Sequence, residues 1–138
     1  MIARTTGWAI PDDQGGPHRF VKHNVEYTDQ FEVWWDGLSP LDQDAIAAAV
    51  EELEESGPGL RRPLVGSIRT SRHANMKELI PPGGNIRILF AFDPRRAAIL
   101  LIGGDKTHQW DSWYELMVPL ADDLYDEHLE TLREEGLI

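Results

Sequence analysis

The sequence predicts an α+β fold, because helical and strand periods follow each other along one short chain without cysteine. The chain has 138 residues, of which 41% are hydrophobic and 27% charged, as is usual for a single globular domain. The absence of cysteine excludes a disulfide scaffold and a thiolate metal site. No signal peptide or membrane-spanning run is recognisable, so we expect a cytoplasmic protein without a membrane partner.

The first 20 residues are expected to form an irregular N-terminal extension, and residues 21–138 a single domain. Five Gly and Pro residues interrupt any period in the extension. Residues 21–27 then favour a short strand. Thr28 stands where a helix N-cap belongs, and apolar side chains at helical spacing predict a first helix that Gly37 ends in a left-handed cap.

A second helix and three strands are predicted next. Ser39 and Pro40 occupy cap and first positions typical of a helix, and an apolar stripe follows them as far as Gly57. Apolar runs then predict three strands: 76–80, 86–92 and 98–102. The short connections PPGGN and DPRR make both strand pairs antiparallel.

Pro119 is expected to begin a C-terminal helix with one apolar face and one acidic, solvated face. The order strand, helix, helix, three strands, helix predicts that helices cover one face of the sheet. The other face would then be free for a ligand.

The charge distribution leaves two interpretations open. The net charge is −11, but residues 59–108 carry nine basic and three acidic side chains between strongly acidic flanks. The local field at a site matters more than the total charge. The chain therefore has either an ordinary centre between solvated helices or a basic surface for a phosphate-bearing ligand.

Lys77 and Arg87 lie on neighbouring predicted strands. If PPGGN closes symmetrically, Lys77 faces Leu89 and the two cations share one face of the sheet. A slip of one residue would separate them. Two adjacent cations favour an anion between them. The alternative is that they pair with Glu78 and Asp93 or extend into water.

Two further segments carry candidate binding groups. In GGDKTHQWDSWYEL, the glycines are expected to turn the chain sharply after the third strand. Lys106 and His108 follow and, with Trp110 and Tyr114, suit phosphate binding, proton transfer and base stacking. The alternative is that Trp113 and Tyr114 anchor the core and His108 is a surface residue, and for Trp113 this interpretation is the better one. The polar loop before the first strand adds three more candidates: Arg69, Arg72 and His73.

Other chemistries fit poorly. The sequence has no HExxH, Walker-type GKS/T, GxSxG or GxGxxG motif, and its five histidines lack metal-ligand spacing. We therefore expect no metal and no cofactor.

Five segments in order resemble the phage-derived HigB-like toxins of the RelE/ParE superfamily, which belong to type II toxin–antitoxin systems. They are VEYTDQFEVWWDGL, SRHANMKEL, IRILFAFDPRR, LLIGGDKTHQW and PLADDLYDEHL, within about residues 23–135. The resemblance implies a RelE-like fold with two N-terminal helices packed on a small antiparallel sheet, and a C-terminal helix. It also implies a cognate antitoxin, often a helix-turn-helix DNA-binding protein.

The resemblance further implies a metal-independent endoribonuclease that blocks translation by cutting mRNA, usually on the ribosome. The RNA 2′-hydroxyl would attack the adjacent phosphate, with basic side chains stabilising the charge. By position it assigns four catalytic candidates: Lys77, Arg87, Lys106 and His108. It assigns RNA binding to five others: Arg69, Arg72, His73, Trp110 and Tyr114.

Two other functions stay open at this point. The chain is more acidic than is usual for ribosome-directed relatives, which favours a non-enzymatic module that acts only by binding a partner. A gyrase-directed, ParE-like toxin is the other alternative, because fold alone does not decide function.

Overall fold

The sheet and its helices are seen in a computed structural model that describes residues 4–5, 22–107 and 110–138, with the backbone alone at 4, 5 and 110. The strands of this part are β1 (Arg4–Thr5), β2 (Val25–Tyr27), β3 (Val65–Ser67), β4 (Met76–Leu79), β5 (Ile86–Phe92) and β6 (Ala98–Asp105). The helices are α1 (Asp29–Asp36), α2 (Pro40–Ser56) and α3 (Trp110–Glu134), with a 3-10 turn at Gly57–Gly59. The α+β class is confirmed.

The strand order in the described sheet is β1-β2-β6-β5-β4-β3. The two antiparallel pairs predicted around β5 are confirmed. The sheet is nevertheless mixed and not purely antiparallel, because β2 runs parallel to β6. The chain leaves β2 through α1 and α2 and returns to the sheet through β3. The edge strands β1 and β3 were not predicted, since two or three residues are too few to show a period.

Side-chain caps fix where α1 and α2 begin, as predicted. The Thr28 hydroxyl accepts a hydrogen bond from the Phe31 amide at 3.1 Å and donates one to the Leu101 carbonyl at 2.7 Å, which ties α1 to β6. Ser39 accepts from the Asp42 amide at the start of α2. The predicted left-handed cap at Gly37 is wrong, since its φ is −88°. Only one residue lies between Gly37 and Ser39, the N-cap of α2, and the backbone at Gly37 stays in the right-handed region.

Helices cover both faces of the sheet, so the expectation of a free face is wrong. Phe31 of α1 and Val50 of α2 pack with Phe90 on one side. On the other side α3 packs Trp113 and Tyr125 against β5 and β6, which confirms Trp113 as a core residue. None of the helices in the described ranges is long and apolar enough to cross a membrane.

The predicted start of α3 at Pro119 is also wrong. The helix begins at Trp110, and Pro119 lies inside it. A proline inside a helix removes one backbone hydrogen bond. Trp113 and Val118, which precede the proline on the apolar face of α3, are only 4% and 2% exposed. Their burial offsets the lost hydrogen bond.

The two glycines after Ile102 do not turn the chain, contrary to the prediction, because β6 continues to Asp105. A Cβ atom at Gly103 would overlap the indole of Trp34, and one at Gly104 would overlap the indole of Trp113. The glycines therefore make room for one tryptophan on each face of the sheet.

A buried polar network lies just beyond the end of β5. The Asp93 carboxylate accepts hydrogen bonds from Arg95 at 2.8 and 3.0 Å, and His128 Nε2 lies 2.9 Å from it. Arg95 also donates to Glu26 at 2.9 Å. Burial by itself would raise the pKa of Asp93, but the bonds from His128 and Arg95 outweigh it and hold this pKa below its ordinary value of 3.8.

We predict that Asp93→Asn lowers the free energy of unfolding by about 2 kcal/mol at pH 7, because it removes a charge-assisted acceptor from a buried site. Since the folded-state pKa is lowered, the carboxylate stabilises the fold above pH 3.8 and loses this effect as the pH falls through the folded pKa. Urea unfolding at pH 7 and pH 3 should show the difference shrinking in acid. The exposed Glu127→Gln is the matched control, and an equal loss there would contradict the prediction.

Candidate active site

The register of β4 and β5 decides which charged residues share a face. Lys77 pairs with Phe90, and Glu78 pairs with Leu89. The expected pairing of Lys77 with Leu89 is therefore wrong by one residue, and Arg87 shares a face with Glu78 instead of with Lys77. The six residues that connect Leu79 to β5 do not close symmetrically.

Glu78, Arg87, Lys106 and Tyr114 form one cluster on the face covered by α3, which we call the Glu78 cluster. Tyr114 Oη donates to Glu78 Oε1 at 2.6 Å. Lys106 Nζ donates to Tyr114 Oη at 3.3 Å and lies 5.2 Å from the centre of the tyrosine ring. Arg87 Nε lies 3.7 Å from Glu78 Oε1. The phenol thus connects the ammonium of Lys106 with a carboxylate.

The ends of β5 and β6 and the first turns of α3 position this cluster. Arg87 pairs with Gly104 across the two strands, and its guanidinium donates to the Ile86 carbonyl at 2.8 Å. The Lys106 amide bonds to the Asn85 carbonyl at 3.0 Å, which holds the segment after β6 beside the start of β5. A cavity of about 500 Å³, lined in part by Tyr114, opens next to the cluster.

Burial and mutual charge change the acid–base properties of the Glu78 cluster. Burial and then the nearby positive charge of Arg87 lower the pKa of Lys106, and Glu78 acts against this. Burial and the hydrogen bond to Glu78 raise the pKa of Tyr114 to about 12, so its phenol stays protonated at neutral pH. Arg87 and Glu78 side chains are 13% and 10% exposed.

Of the predicted catalytic residues, the structure brings Arg87 and Lys106 together and places Lys77 on the other face. Their expected convergence on one exposed basic surface is therefore wrong, since Lys106 is buried and Arg87 faces a carboxylate. His108 lies outside the described residues. The sequence analysis treats Glu78 only as a possible salt-bridge partner of Lys77 or Arg87. Because neighbouring residues of a strand point to opposite faces, one of Lys77 and Glu78 had to share a face with Arg87.

The predicted RNA-binding residues have diverse surroundings. Arg72 forms ion pairs with Asp123 at 2.9 Å and with Asp126 of α3. His73 Nε2 lies 2.8 Å from Asp126. These contacts tie the loop before β4 to α3, so that part of the acidic helix face is paired and not simply solvated. Arg69 is exposed, and the side chain of Trp110 lies outside the described part.

The Glu78 cluster can transfer protons and stabilise negative charge. It contains a proton acceptor, a phenol donor and two cations, each in contact with at least one of the others. Across residues 22–107 and 111–138, no group of three or more His, Asp and Glu side chains could hold a metal ion.

Residues 33–126 match the family described as "Phage derived protein Gp49-like (DUF891)". The chain belongs to this Gp49-like family. The match includes β4, β5 and β6 together with Tyr114, so the whole Glu78 cluster lies inside the family region. The match confirms the resemblance to a phage-derived family.

Two relatives from Mycobacterium tuberculosis (strain ATCC 25618 / H37Rv) are similar to this Gp49-like chain. "Putative toxin HigB2" is 45% identical over 104 residues, which are 73% of this chain and 52% of HigB2. "Putative toxin HigB3" is 48% identical over 93 residues, which are 67% of this chain and 82% of HigB3. The chain therefore spans about half the length of HigB2 and most of HigB3. Together with the family match, these two relatives confirm the resemblance to phage-derived HigB-like toxins.

Among solved structures, the RelB-RelE antitoxin-toxin complex from Methanococcus jannaschii contains a similar chain. The TM-score is 0.49 at 14% sequence identity, over 63% of this chain and 96% of the other.

We predict opposite shifts of the Lys106 pKa in two variants of this Gp49-like chain. Arg87→Gln should raise the Lys106 pKa by removing a nearby positive charge, and Glu78→Gln should lower it further by removing a negative one. An NMR titration of the Lys106 side chain measures both. Arg96→Gln removes a positive charge from the β5–β6 turn at the far end of these strands, and it should leave the value unchanged. Shifts in the same direction for the first two variants would contradict the geometry.

Proposed function

We propose that this chain is the toxin of a type II toxin–antitoxin system. Its two curated relatives carry the name of HigB toxins, and each aligns with two thirds or more of the chain. We further propose that it is a metal-independent endoribonuclease that cuts mRNA on the ribosome and so inhibits translation. The observation that carries the enzymatic part is the Glu78 cluster, in which a carboxylate, a phenol and two cations meet.

The cluster suits cleavage of RNA by its own 2′-hydroxyl. Glu78 takes the proton of the 2′-hydroxyl, whose oxygen then forms a bond to the adjacent phosphorus. The bond from phosphorus to the 5′-oxygen breaks, and Lys106 supplies the proton that this leaving group needs. The products are a 2′,3′-cyclic phosphate and a 5′-hydroxyl. A lowered pKa makes the ammonium of Lys106 a stronger acid for this step.

Arg87 stabilises the charge that collects on the phosphoryl oxygens during this reaction. A guanidinium has five N–H donors in a fork that fits phosphate. The contacts with Glu78 and the Ile86 carbonyl fix its position and leave room for further donors to meet a substrate. Tyr114 orients Glu78 through the 2.6 Å hydrogen bond, and its ring at the adjoining cavity is a surface on which a base can stack.

We propose a cognate antitoxin as the protein partner, with a helix-turn-helix DNA-binding protein as its class. Leu116 and Leu120 of α3 are 63% and 43% exposed among acidic side chains. Exposed apolar side chains next to charged ones favour contact with another protein. A DNA-binding antitoxin carries basic surface, which would complement the net charge of −11 on this chain.

We predict that induction of the chain alone arrests growth and cleaves transcripts, and that Arg87→Ala and Glu78→Gln each lower the cleavage rate by about 10²–10⁴-fold. These are the usual effects of removing a positioned base or a charge stabiliser. Primer extension on mRNA and growth curves measure the effect. Arg96→Gln should keep full activity, and thermal melting should show that all variants are folded.

Other outcomes of the same experiment separate the competing functions. Normal growth with soluble, folded wild-type chain would replace the endonuclease with a module that acts only through its partner. A DNA-damage response with intact transcripts would favour a gyrase-directed toxin. An unchanged cleavage rate in Glu78→Gln and Arg87→Ala would show that the active site lies outside the Glu78 cluster.

A further inference from the structure

A second group of cations lies at the outer edge of the sheet, around β3. A cavity of about 430 Å³ opens there between the turn after α2 and strands β3 and β4. Its lining contains three basic side chains, one hydroxyl and no carboxylate. The polar side chains are Arg61, Arg62, Lys77 and Ser67, and the rest are apolar side chains and a glycine. We call this the edge cavity.

Among the described residues, the cations of the edge cavity differ from most others in forming no ion pair, although the Glu78 carboxylate approaches Arg62. Arg72, Arg87 and Arg95 each form an ion pair with Asp or Glu. Within the described ranges 22–107 and 111–138, the three cations of the edge cavity form no ion pair with a carboxylate. Cations placed close together repel one another, so an anion in this cavity would lower the electrostatic energy.

Gly66 connects the edge cavity with the Glu78 cluster. It lines the cavity and pairs with Glu78 across β3 and β4. A Cβ atom at position 66 would stand 3.0 Å from Arg62 Nη2 and 3.3 Å from Glu78 Oε2. The guanidinium and the carboxylate thus approach each other over Gly66, where a Cβ atom would contact both tightly and require them to shift. A ligand bound at Glu78 can continue across the sheet edge along a positively charged path.

We infer that the edge cavity binds a backbone phosphate of the RNA strand, next to the phosphate that is cleaved. The inference rests on the proposed function, since it extends the RNA site beyond the Glu78 cluster. Three cations and the Ser67 hydroxyl suit phosphate oxygens, and the absence of a carboxylate from the lining favours an anion over a cationic ligand. The assignment gives Lys77 a binding role on the face opposite to Arg87. A free phosphate ion shares this chemistry, so the test must separate it from RNA.

The test measures binding of a 2′-O-methyl oligoribonucleotide, which the proposed reaction cannot cleave. The double variant Arg61→Gln/Lys77→Gln should bind it about tenfold more weakly, and the dependence of log K on log salt should become about one unit less steep. Arg96→Gln is the control because it removes an exposed cation that forms no ion pair with the other described residues, and it should bind like wild type. Chemical-shift titration with inorganic phosphate forms a second arm, and circular dichroism confirms the fold of each variant.

Equal affinity and equal salt slope in the double variant and in Arg96→Gln would overturn the inference. So would saturable binding of inorganic phosphate to the edge cavity without any loss of RNA affinity in the double variant. Arg87→Ala separates the two proposals, because it should lower the cleavage rate as predicted above and still bind the oligonucleotide through the edge cavity. If wild type cleaves no RNA but binds it through Arg61 and Lys77, the catalytic proposal fails, and the edge cavity keeps only its role as a binding site for an RNA phosphate.

Discussion

The central strands β5 and β6 are covered by α1 and α2 on one face and by α3 on the other, and this double burial determines where charge can lie. Residues 88–91 of β5 are all buried and apolar, because an unpaired charge there would lose its hydration. Arg87 lies just before this buried stretch and Asp93 just after it. The candidate active site and the structural network around Asp93 are therefore the two ends of one strand.

Charged side chains at both ends of β5 lose hydration on folding, and the two ends compensate for this loss in different ways. At the Asp93 end, a carboxylate with no exposed side-chain surface meets Arg95 and His128, so its charge is fully compensated inside the fold. At the Arg87 end, Lys106 is kept beside Arg87 in spite of their repulsion, and the carboxylates of Glu78 and Asp111 act against this repulsion. Charged groups of both signs thus lie together with shifted pKa values, as is typical of functional sites, whereas the Asp93 network compensates one buried carboxylate.

The sequence was sufficient to predict the α+β class, both helix N-caps and the three long strands, because those features depend on local patterns that repeat over several residues. The register of β4 on β5 depends on how the residues between Leu79 and Ile86 fold, and no local pattern reports that. One residue of register exchanged Lys77 for Glu78 beside Arg87. The coverage by α3 was missed because Pro119 was interpreted as a helix start, although Trp113 already indicated that the apolar face extends further back. Arg87 and Lys106 could be found as basic residues near strand ends, but their relation to Tyr114 required the packing of α3.

The acidic total charge of this Gp49-like chain is compatible with the proposed RNA substrate. The reason is that some cations form ion pairs with carboxylates, whereas others form none among the described residues. Arg72 and His73 face carboxylates of α3, so they hold a loop in place and contribute little field at a distance. The edge cavity keeps its positive charge within a few residues of Glu78, because β3 is short and Gly66 has no side chain. The three cations of the edge cavity therefore lie together at one edge of the sheet, while the helices on both faces carry mostly acidic side chains. Such a distribution favours entry of a phosphate chain along β3 and repels nucleic acid from the remaining acidic surface. In our proposal, the helical surface of α3 with its exposed leucines contacts the antitoxin.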